Sequence, residues 1–229
     1  MKIAIMGAMP EEIAPILERM GKYTITEYAG NKFYECSYSG HELVIAYSKI
    51  GKVFSTLTAA TMIERFGAEM LLFSGVAGAI SDELNIGDMI VSTRLIQHDL
   101  DITAFGHPHG YVPGGKQYID ADKKLIAIAH NVAGELGVIL QEGIIATGDQ
   151  FVADPERKGW IKEVCNADAL EMEGASVAVV CDVMEVPFFI LRAISDVADM
   201  DASFNFDEFL ESSAQISAEF IIHMVEKIG

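Results

Sequence analysis

Residues 187–199 read PFFILRAISDVAD, an apolar run with a single arginine that leads directly into a serine and an aspartate. Apolar runs of this length are typical of strands that are covered on both faces. A second run, EMLLFSGVAG at 69–78, ends in small residues that let the backbone approach a ligand or a neighbouring turn. Strand-like and helix-like segments alternate around these two runs without a repeat or a linker. The pattern predicts a single three-layer α/β domain over residues 1–229.

The periodicity of the chain predicts the individual elements. We expect strands over 2–6, 32–38, 42–48, 69–74, 88–93, 138–147, 167–170 and 187–194. We expect helices over 11–20, 52–66, 122–136, 155–164, 174–184 and 206–228. Residues 97–118 are rich in His, Gly and Pro and show no clear periodicity. A loop of that length inside a compact domain is usually functional or lies at an interface.

The charge balance limits the possible partners. Acidic residues outnumber basic ones by 34 to 16, which gives a formal net charge of −18 at pH 7. A chain this negative repels phosphate backbones and anionic lipid surfaces. We therefore expect no nucleic-acid partner and no membrane partner.

The cysteine content predicts the compartment. Cys36, Cys165 and Cys181 are odd in number, widely spaced and without a C-x-x-C pair, which disfavours a disulfide framework or a structural zinc site. The apolar run at 2–6 is too short for a signal peptide, and no run of 18 apolar residues is present. We expect a cytoplasmic protein.

Carboxylates follow several of the predicted strands, where ligands bind in open α/β sheets. Asp196 directly follows the buried run of 187–194. It could cap the next turn, or it could be a shielded carboxyl whose raised pKa lets it donate a proton. Glu171 and Glu173 flank Met172 before a helix, and strand alternation would put both on one side with Met172 opposite. They could be a solvated helix N-terminus or could accept hydrogen bonds from the vicinal hydroxyls of a sugar.

Three motifs that suggest phosphate or metal binding are incomplete. The first turn carries Pro10, Glu11 and Glu12 where a phosphate loop would place glycines and N–H donors, so phosphate is disfavoured there. Residues 110–116 match most of a Walker A loop, but Gln117 stands in place of Ser or Thr. His107 and His109 lack a second ligand cluster. We expect neither a metal ion nor a cofactor.

An ordered set of short motifs covers nearly the whole chain. The motifs are GAMPEE at 7–12, SKIGKV at 48–53, SGVAG at 74–78, HDLDITAFG at 98–106, TGDQFV at 147–152, EMEG at 171–174, RAISDVAD at 192–199 and FNFDEF at 204–209. Together they resemble the bacterial 5′-methylthioadenosine/S-adenosylhomocysteine nucleosidases. The resemblance implies a nucleoside phosphorylase-like fold, with a mixed central β-sheet flanked by helices, and a homodimer.

The resemblance also implies roles for individual residues. Asp196 is the implied general acid that protonates adenine N7, and Glu12 is the implied activator of the attacking water. The implied substrate-binding residues are Ser195 beside the acid, Glu173 and Met172 at the ribose, Phe151 and Val152 at adenine, Met9, Ile50 and Phe206 at the 5′-thioalkyl group, and Val76 near them. Ile102, Phe105 and Pro113 are implied to come from the second subunit.

The implied activity is hydrolysis of the N-glycosidic bond of 5′-methylthioadenosine and S-adenosylhomocysteine, which releases adenine and a 5-substituted ribose. Some members also hydrolyse 6-amino-6-deoxyfutalosine, a menaquinone intermediate, and 5′-deoxyadenosine is a further candidate. Val76 replaces a serine of many members, His107 replaces a frequent tyrosine, and Pro10 replaces an acidic or polar residue. These departures bear on 5′ specificity and leave the implied catalytic residues intact.

Two other functions fit parts of the same pattern. A phosphorylase of this fold would need cationic phosphate ligands, and Arg192 is the one arginine near a proposed site motif. A catalytically silent purine-binding module would need neither an acid at Asp196 nor a water-activating group at Glu12. Cleavage of an N-glycosidic bond needs an acid, a base and stabilisation of an oxocarbenium-like sugar, and opposed carboxyl groups can supply the first two.

Overall fold

A computed structural model describes residues 1–197 and 202–229, of which residues 202–208 are described by their backbone alone. Its strands are β1 (Lys2–Gly7), β2 (Thr24–Tyr28), β3 (Asn31–Tyr38), β4 (His41–Tyr47), β5 (Met70–Ala79), β6 (Met89–Gln97), β7 (Ile119–Asp120), β8 (Leu140–Thr147), β9 (Ala169–Glu171) and β10 (Phe188–Asp196). Its α-helices are α1 (Pro10–Met20), α2 (Lys52–Glu64), α3 (Lys123–Leu136), α4 (Pro155–Cys165), α5 (Gly174–Val183) and α6 (Ala202–Lys227).

The strands form one mixed sheet. Strands β1, β5 and β10 run in parallel, and β1 also pairs in parallel with β4. Strand β10 pairs with β6 in antiparallel orientation, and β6, β8 and β9 are parallel to one another. Because β9 pairs with β5 as well, the strands β5, β10, β6, β8 and β9 close into a ring. The predicted mixed sheet is confirmed.

The helices pack in two groups against this sheet. Helix α6 contacts α1 and α3 and lies against β5 and β10, while α2 contacts α5, which lies against β6 and β8. Apolar side chains of the two central strands, such as Phe73, Phe189 and Ile190, are fully buried between these layers. Burial on both faces explains why these strands are apolar at nearly every position.

Three elements differ from the expectations, and one of them is the two-residue strand β7, which was not predicted. The small residues after Ser74 were expected to leave the sheet, but β5 continues to Ala79 because β10 and β9 pair with that part of it. Strand β2 was not predicted, since its sequence TITEY lies at the sheet edge and is mostly exposed. Within the irregular segment 97–118, Gln97 still belongs to β6, and the remaining regular structure is one short 3₁₀ helix, Thr103–Phe105.

Candidate active site

A cavity of about 300 Å³ opens where several strands end. Its walls come from the turn after β1, the last third of β5, the segment after β8, the end of β9 and the end of β10. The lining residues are Ala8, Met9, Glu12, Ile50, Val76, Ala77, Gly78, Gln150, Phe151, Val152, Leu170, Glu171, Met172, Glu173, Ser195 and Asp196. The sheet therefore brings together ten residues to which the sequence resemblance assigned a site role.

Glu12 lies in the first turn of α1, and its carboxyl group reaches the turn after β1 and strand β5. Its Oε2 accepts hydrogen bonds from the N–H groups of Ala8 at 2.5 Å and Met9 at 3.0 Å, and its Oε1 accepts one from Val76 at 3.1 Å. The side chain is 3% exposed. Burial raises the pKa of Glu12, while the positive charge of Arg192 and the three N–H donors act in the opposite direction.

Glu173 lies directly before α5 and is also buried. Its Oε1 accepts a hydrogen bond from the N–H of Gly51 at 2.8 Å. Burial, followed by the negative charge of Glu171, raises the pKa of Glu173 to about 8. The expectation that Met172 points away from the two glutamates is wrong: β9 ends at Glu171, so strict alternation stops there and all three residues line the cavity. The glutamates do not form a solvated helix end.

A buried ion pair supports this part of the cavity. Arg192 Nη2 donates to Glu171 Oε2 at 2.6 Å, and both side chains are at most 3% exposed. Glu171 also accepts from the hydroxyl of Thr147 and from the N–H of Gly174 at 2.7 Å. The guanidinium lies over the ring of Phe73, 4.1 Å from its centroid. The sequence analysis considered Glu171 as a sugar ligand or as part of a solvated helix end and did not predict its ion pair with Arg192, although an arginine inside the apolar run FFILRAI was a signal.

Asp196 ends β10 and is 4% exposed. The hydroxyl of Ser195 donates to its Oδ2 at 3.0 Å. The pairing of β10 with β5 shifts register between Ile194 and Asp196, which pairs with Gly78. Such irregularities re-aim side chains at strand ends. The aspartate thereby forms part of the cavity wall.

The mouth of the cavity is apolar. Phe151 and Ile50 are about half exposed, at 49% and 54%, whereas Val152 is buried. Met9 also lines the cavity. An aromatic ring at the rim of an apolar cavity suits the stacking of a flat heterocycle.

Four residues of the sequence-based set are not among the lining residues. Ile102, Phe105 and Pro113 lie outside the cavity of this chain, and Phe105 is 81% exposed. Their predicted role concerns a second subunit and stays a prediction. The side chain of Phe206 lies outside the described residues.

The incomplete motifs have structural explanations. Lys116 forms an ion pair with Asp182 at 2.6 Å, and His109 hydrogen-bonds the carbonyl of His98 at 2.8 Å. Within residues 1–197 and 202–229, no three His, Cys, Asp or Glu side chains are grouped so that they could hold a metal ion. In the same part of the chain no helix is long and apolar enough to cross a membrane.

Comparison with known proteins defines the class. The family model described as the phosphorylase superfamily matches residues 2–226. The aminodeoxyfutalosine nucleosidase of Campylobacter jejuni is 59% identical over 228 residues, which cover 100% of both chains. The 5′-methylthioadenosine/S-adenosylhomocysteine nucleosidase of Bacillus anthracis is 38% identical over 230 residues, again with 100% of both chains covered.

Solved structures agree with the sequence relatives. A mutant of the Helicobacter pylori nucleosidase with 5′-methylthioadenosine in its active site superimposes with a TM-score of 0.97 at 49% identity, covering 99% of each chain. This chain therefore belongs to the family of 5′-methylthioadenosine/S-adenosylhomocysteine and aminodeoxyfutalosine nucleosidases. The family and fold that the sequence motifs implied are both confirmed.

Proposed function

We propose that this protein hydrolyses the N-glycosidic bond of adenine nucleosides that carry a substituent at the ribose 5′ position. The substrates are 5′-methylthioadenosine, S-adenosylhomocysteine and 6-amino-6-deoxyfutalosine, with 5′-deoxyadenosine as a further candidate. One observation carries the proposal: two buried carboxyl groups, Asp196 and Glu12, lie in the walls of the same apolar cavity. The names of relatives that are 59% and 38% identical support the choice of substrates.

Asp196 is the general acid in this proposal. As the bond between C1′ and N9 breaks, its electron pair passes into the purine, and N7 takes the proton of the Asp196 carboxyl. The hydrogen bond from Ser195 at 3.0 Å orients that carboxyl. Phe151 at the rim stacks on the base, and the backbone of Val152 reads its edge. An acid placed in this way contributes about 10²- to 10⁴-fold to the rate.

Glu12 is the base that activates water. The water oxygen attacks C1′ and its proton passes to Glu12, whose raised pKa makes it a stronger base than an exposed glutamate. Glu173 accepts hydrogen bonds from the ribose hydroxyls, and the N–H of Gly51 holds its carboxyl in place. Met172 packs against the sugar, and Met9, Ile50 and Phe206 surround the 5′ substituent together with Val76.

The surrounding charges favour a cationic sugar. Glu12, Glu171 and Glu173 are buried around the cavity, and Arg192 is a cation that interacts with all three. In their ionised form these carboxyl groups supply preorganised negative charge, which stabilises an oxocarbenium-like transition state. The cationic sugar in turn favours the ionised form of Glu173, whose pKa is otherwise raised to about 8. This excess of carboxyl groups supports nucleosidase chemistry over a silent binding module.

Hydrolysis is favoured over phosphorolysis by the position of Glu12. Backbone N–H groups at the start of a helix commonly bind anions. Here the N–H groups of Ala8, Met9 and Val76 already bond the Glu12 carboxyl. A phosphate ion would have to displace a buried carboxylate and approach its negative charge.

A homodimer is part of the proposal. Several large apolar residues are exposed on this chain, among them Val53 at 75% and Leu57 at 46% on α2, and Phe105 at 81% in the irregular segment. Exposed apolar side chains of this size commonly mark interaction surfaces. In the proposed dimer, Ile102, Phe105 and Pro113 close the 5′ pocket of the other subunit. The cysteine content supports a cytoplasmic location.

Adenine release from 5′-methylthioadenosine, measured with and without inorganic phosphate, tests the proposal. The expected result is phosphate-independent release with a free 5-methylthioribose product. A requirement for phosphate together with a ribose 1-phosphate product would indicate a phosphorylase. Binding without turnover of any of the substrates would indicate a silent module.

A further inference from the structure

Lys158 connects helix α4 to the strand that carries Asp196. Its Nζ donates a hydrogen bond to the carbonyl oxygen of Val197 at 2.8 Å, and Val197 directly follows Asp196. The bond is partly buried and joins residues 39 positions apart. A charged donor makes a stronger hydrogen bond than a neutral one. The exit of β10 is thus held by a side chain from another element.

The same helix is fixed to the segment that binds the base. Val152 packs in a small hydrophobic cluster with Ile161 of α4. Residues 150–152 line the cavity, and helix α4 begins three residues later, at Pro155. Its N-cap residue, Asp154, accepts a hydrogen bond from the N–H of Glu156 at 3.0 Å. Helix α4 is therefore a rigid connection between the base-binding segment and Val197.

We propose that Lys158 is a positioning residue for the general acid. It holds the end of β10, and with it the Asp196 carboxyl, at a set distance from the base-binding segment 150–152. A proton donor must lie within hydrogen-bond distance of the atom that it protonates, so a small displacement of this strand end slows the transfer. The inference rests on the proposed role of Asp196 as the acid.

Lys162 provides a matched control on the same helix. It lies one turn beyond Lys158, and its Nζ bonds Asp82 at 3.0 Å on the exposed surface. Lys158→Met and Lys162→Met each remove one ammonium group and one hydrogen bond from α4. They differ in whether the lost bond reaches the strand of Asp196.

The test uses two substrates that differ in their need for an acid. 5′-Methylthioadenosine needs protonation of its adenine, whereas 4-nitrophenyl 5-methylthioriboside releases a phenolate that leaves without a proton. For Lys158→Met we expect kcat for 5′-methylthioadenosine to fall about 10- to 100-fold, with the nitrophenyl substrate within about twofold of wild type. Lys158→Arg, which keeps a charged donor, recovers most of the loss, and Lys162→Met leaves both rates unchanged.

Three results would overturn the proposal. Equal kcat values for Lys158→Met and Lys162→Met would show that the hydrogen bond from Lys158 to Val197 does not contribute to catalysis. An equal loss on both substrates would show general destabilisation. A basic limb of the pH profile of kcat that moves to higher pH, with an unchanged plateau, would show an effect of charge on the acid and not of position.

An Asp196→Asn variant separates this inference from the proposed function. It should lose turnover of 5′-methylthioadenosine and keep that of the nitrophenyl substrate. If it keeps both activities, the acid role itself is wrong. If it behaves as expected while Lys158→Met matches wild type, only the positioning role of Lys158 is wrong.

Discussion

Gly75→Ala should disable the water-activating side of the cavity while leaving the fold intact. An alanine Cβ at this position would lie 2.6 Å from Oε1 of Glu12 and 3.0 Å from its Cδ. Gly75 lies inside β5, paired with Arg192 of β10, so its own backbone has little freedom to move. The Glu12 carboxyl is the group that has to give way.

The size of the displacement follows from these distances. Ordinary van der Waals contact begins at 3.4 Å, whereas the new Cβ would lie 2.6 Å from the carboxyl oxygen, so the oxygen has to move by 0.8 Å. Oε1 is also the atom that accepts the N–H of Val76 at 3.1 Å, so the movement strains or breaks that bond. A misplacement of about 1 Å can cost about 100-fold in rate. We expect a loss of this order in kcat for 5′-methylthioadenosine.

Gly143→Ala is the matched control. Its Cβ would lie 2.6 Å from Oδ2 of Asp168, the same distance to a carboxylate oxygen, and also 2.8 Å from Cδ1 of Ile90, so the clash is at least as large. Asp168 accepts from the N–H of Ile144 and does not line the cavity. Overpacking of this kind costs about 1–3 kcal/mol of stability, and thermal melting should show a comparable loss in both variants.

The assay measures adenine release per folded enzyme molecule at saturating substrate. Equal kcat values for Gly75→Ala and Gly143→Ala would refute the proposed role of Glu12, since a loss shared by both variants would reflect stability alone. That role is refuted equally if Gly75→Ala retains the wild-type kcat, because Glu12 would then tolerate displacement and could not be the positioned base.

Three further predictions concern the other side chains. Asp196→Asn should lower kcat for adenine release by at least about 100-fold while binding of 5′-methylthioadenosine, measured by calorimetry, changes little. The pKa of Glu173 is raised from 4.5 to about 8, so the folded state loses stability relative to the unfolded state as pH rises from 4.5 through 8. The melting temperature of Glu173→Gln should therefore fall less than that of wild type across this pH window. Equal changes of melting temperature with pH in the two proteins would contradict the raised pKa. Phe105→Ala should raise KM for 5′-methylthioadenosine more than for adenosine, because adenosine lacks the apolar tail and burying a methylene-sized group is worth about 0.8 kcal/mol. A heterodimer of Phe105→Ala and Asp196→Asn subunits should recover about half the wild-type activity, because one of its two sites then carries neither substitution. No recovery in a stable heterodimer would place Phe105 in its own subunit's site.

The apolar patterning of the sequence accounts for the central strands. The runs that became β5 and β10 are buried on both faces, so hydrophobicity alone identifies them. The same signal fails for β2, whose residues are mostly exposed, and for residues 75–79, whose small side chains look like a turn. In that part of β5 the pairing with β9 and β10 decides the structure, and pairing between distant segments leaves no local pattern.

The candidate site was predictable to the extent that motifs mark its side chains. The contacts that orient those side chains were not. Glu12 is held by N–H groups of residues 8, 9 and 76, and backbone donors carry no sequence signature. The pair of Glu171 and Arg192 joins residues 21 positions apart across two strands. The pairing of β5 with both β9 and β10 brings these charges into one buried volume.

The choice between water and phosphate as the nucleophile depends on one side chain. The turn after β1 and the strand β5 present three N–H groups to the same point, an arrangement that binds anions. In this protein the anion is the carboxylate of Glu12, which is part of the chain and cannot be transferred to the sugar. In the proposed mechanism its oxygens accept the proton of the attacking water, while its charge opposes the entry of phosphate. The same carboxylate that disfavours phosphate would therefore supply the base that the proposed hydrolysis needs.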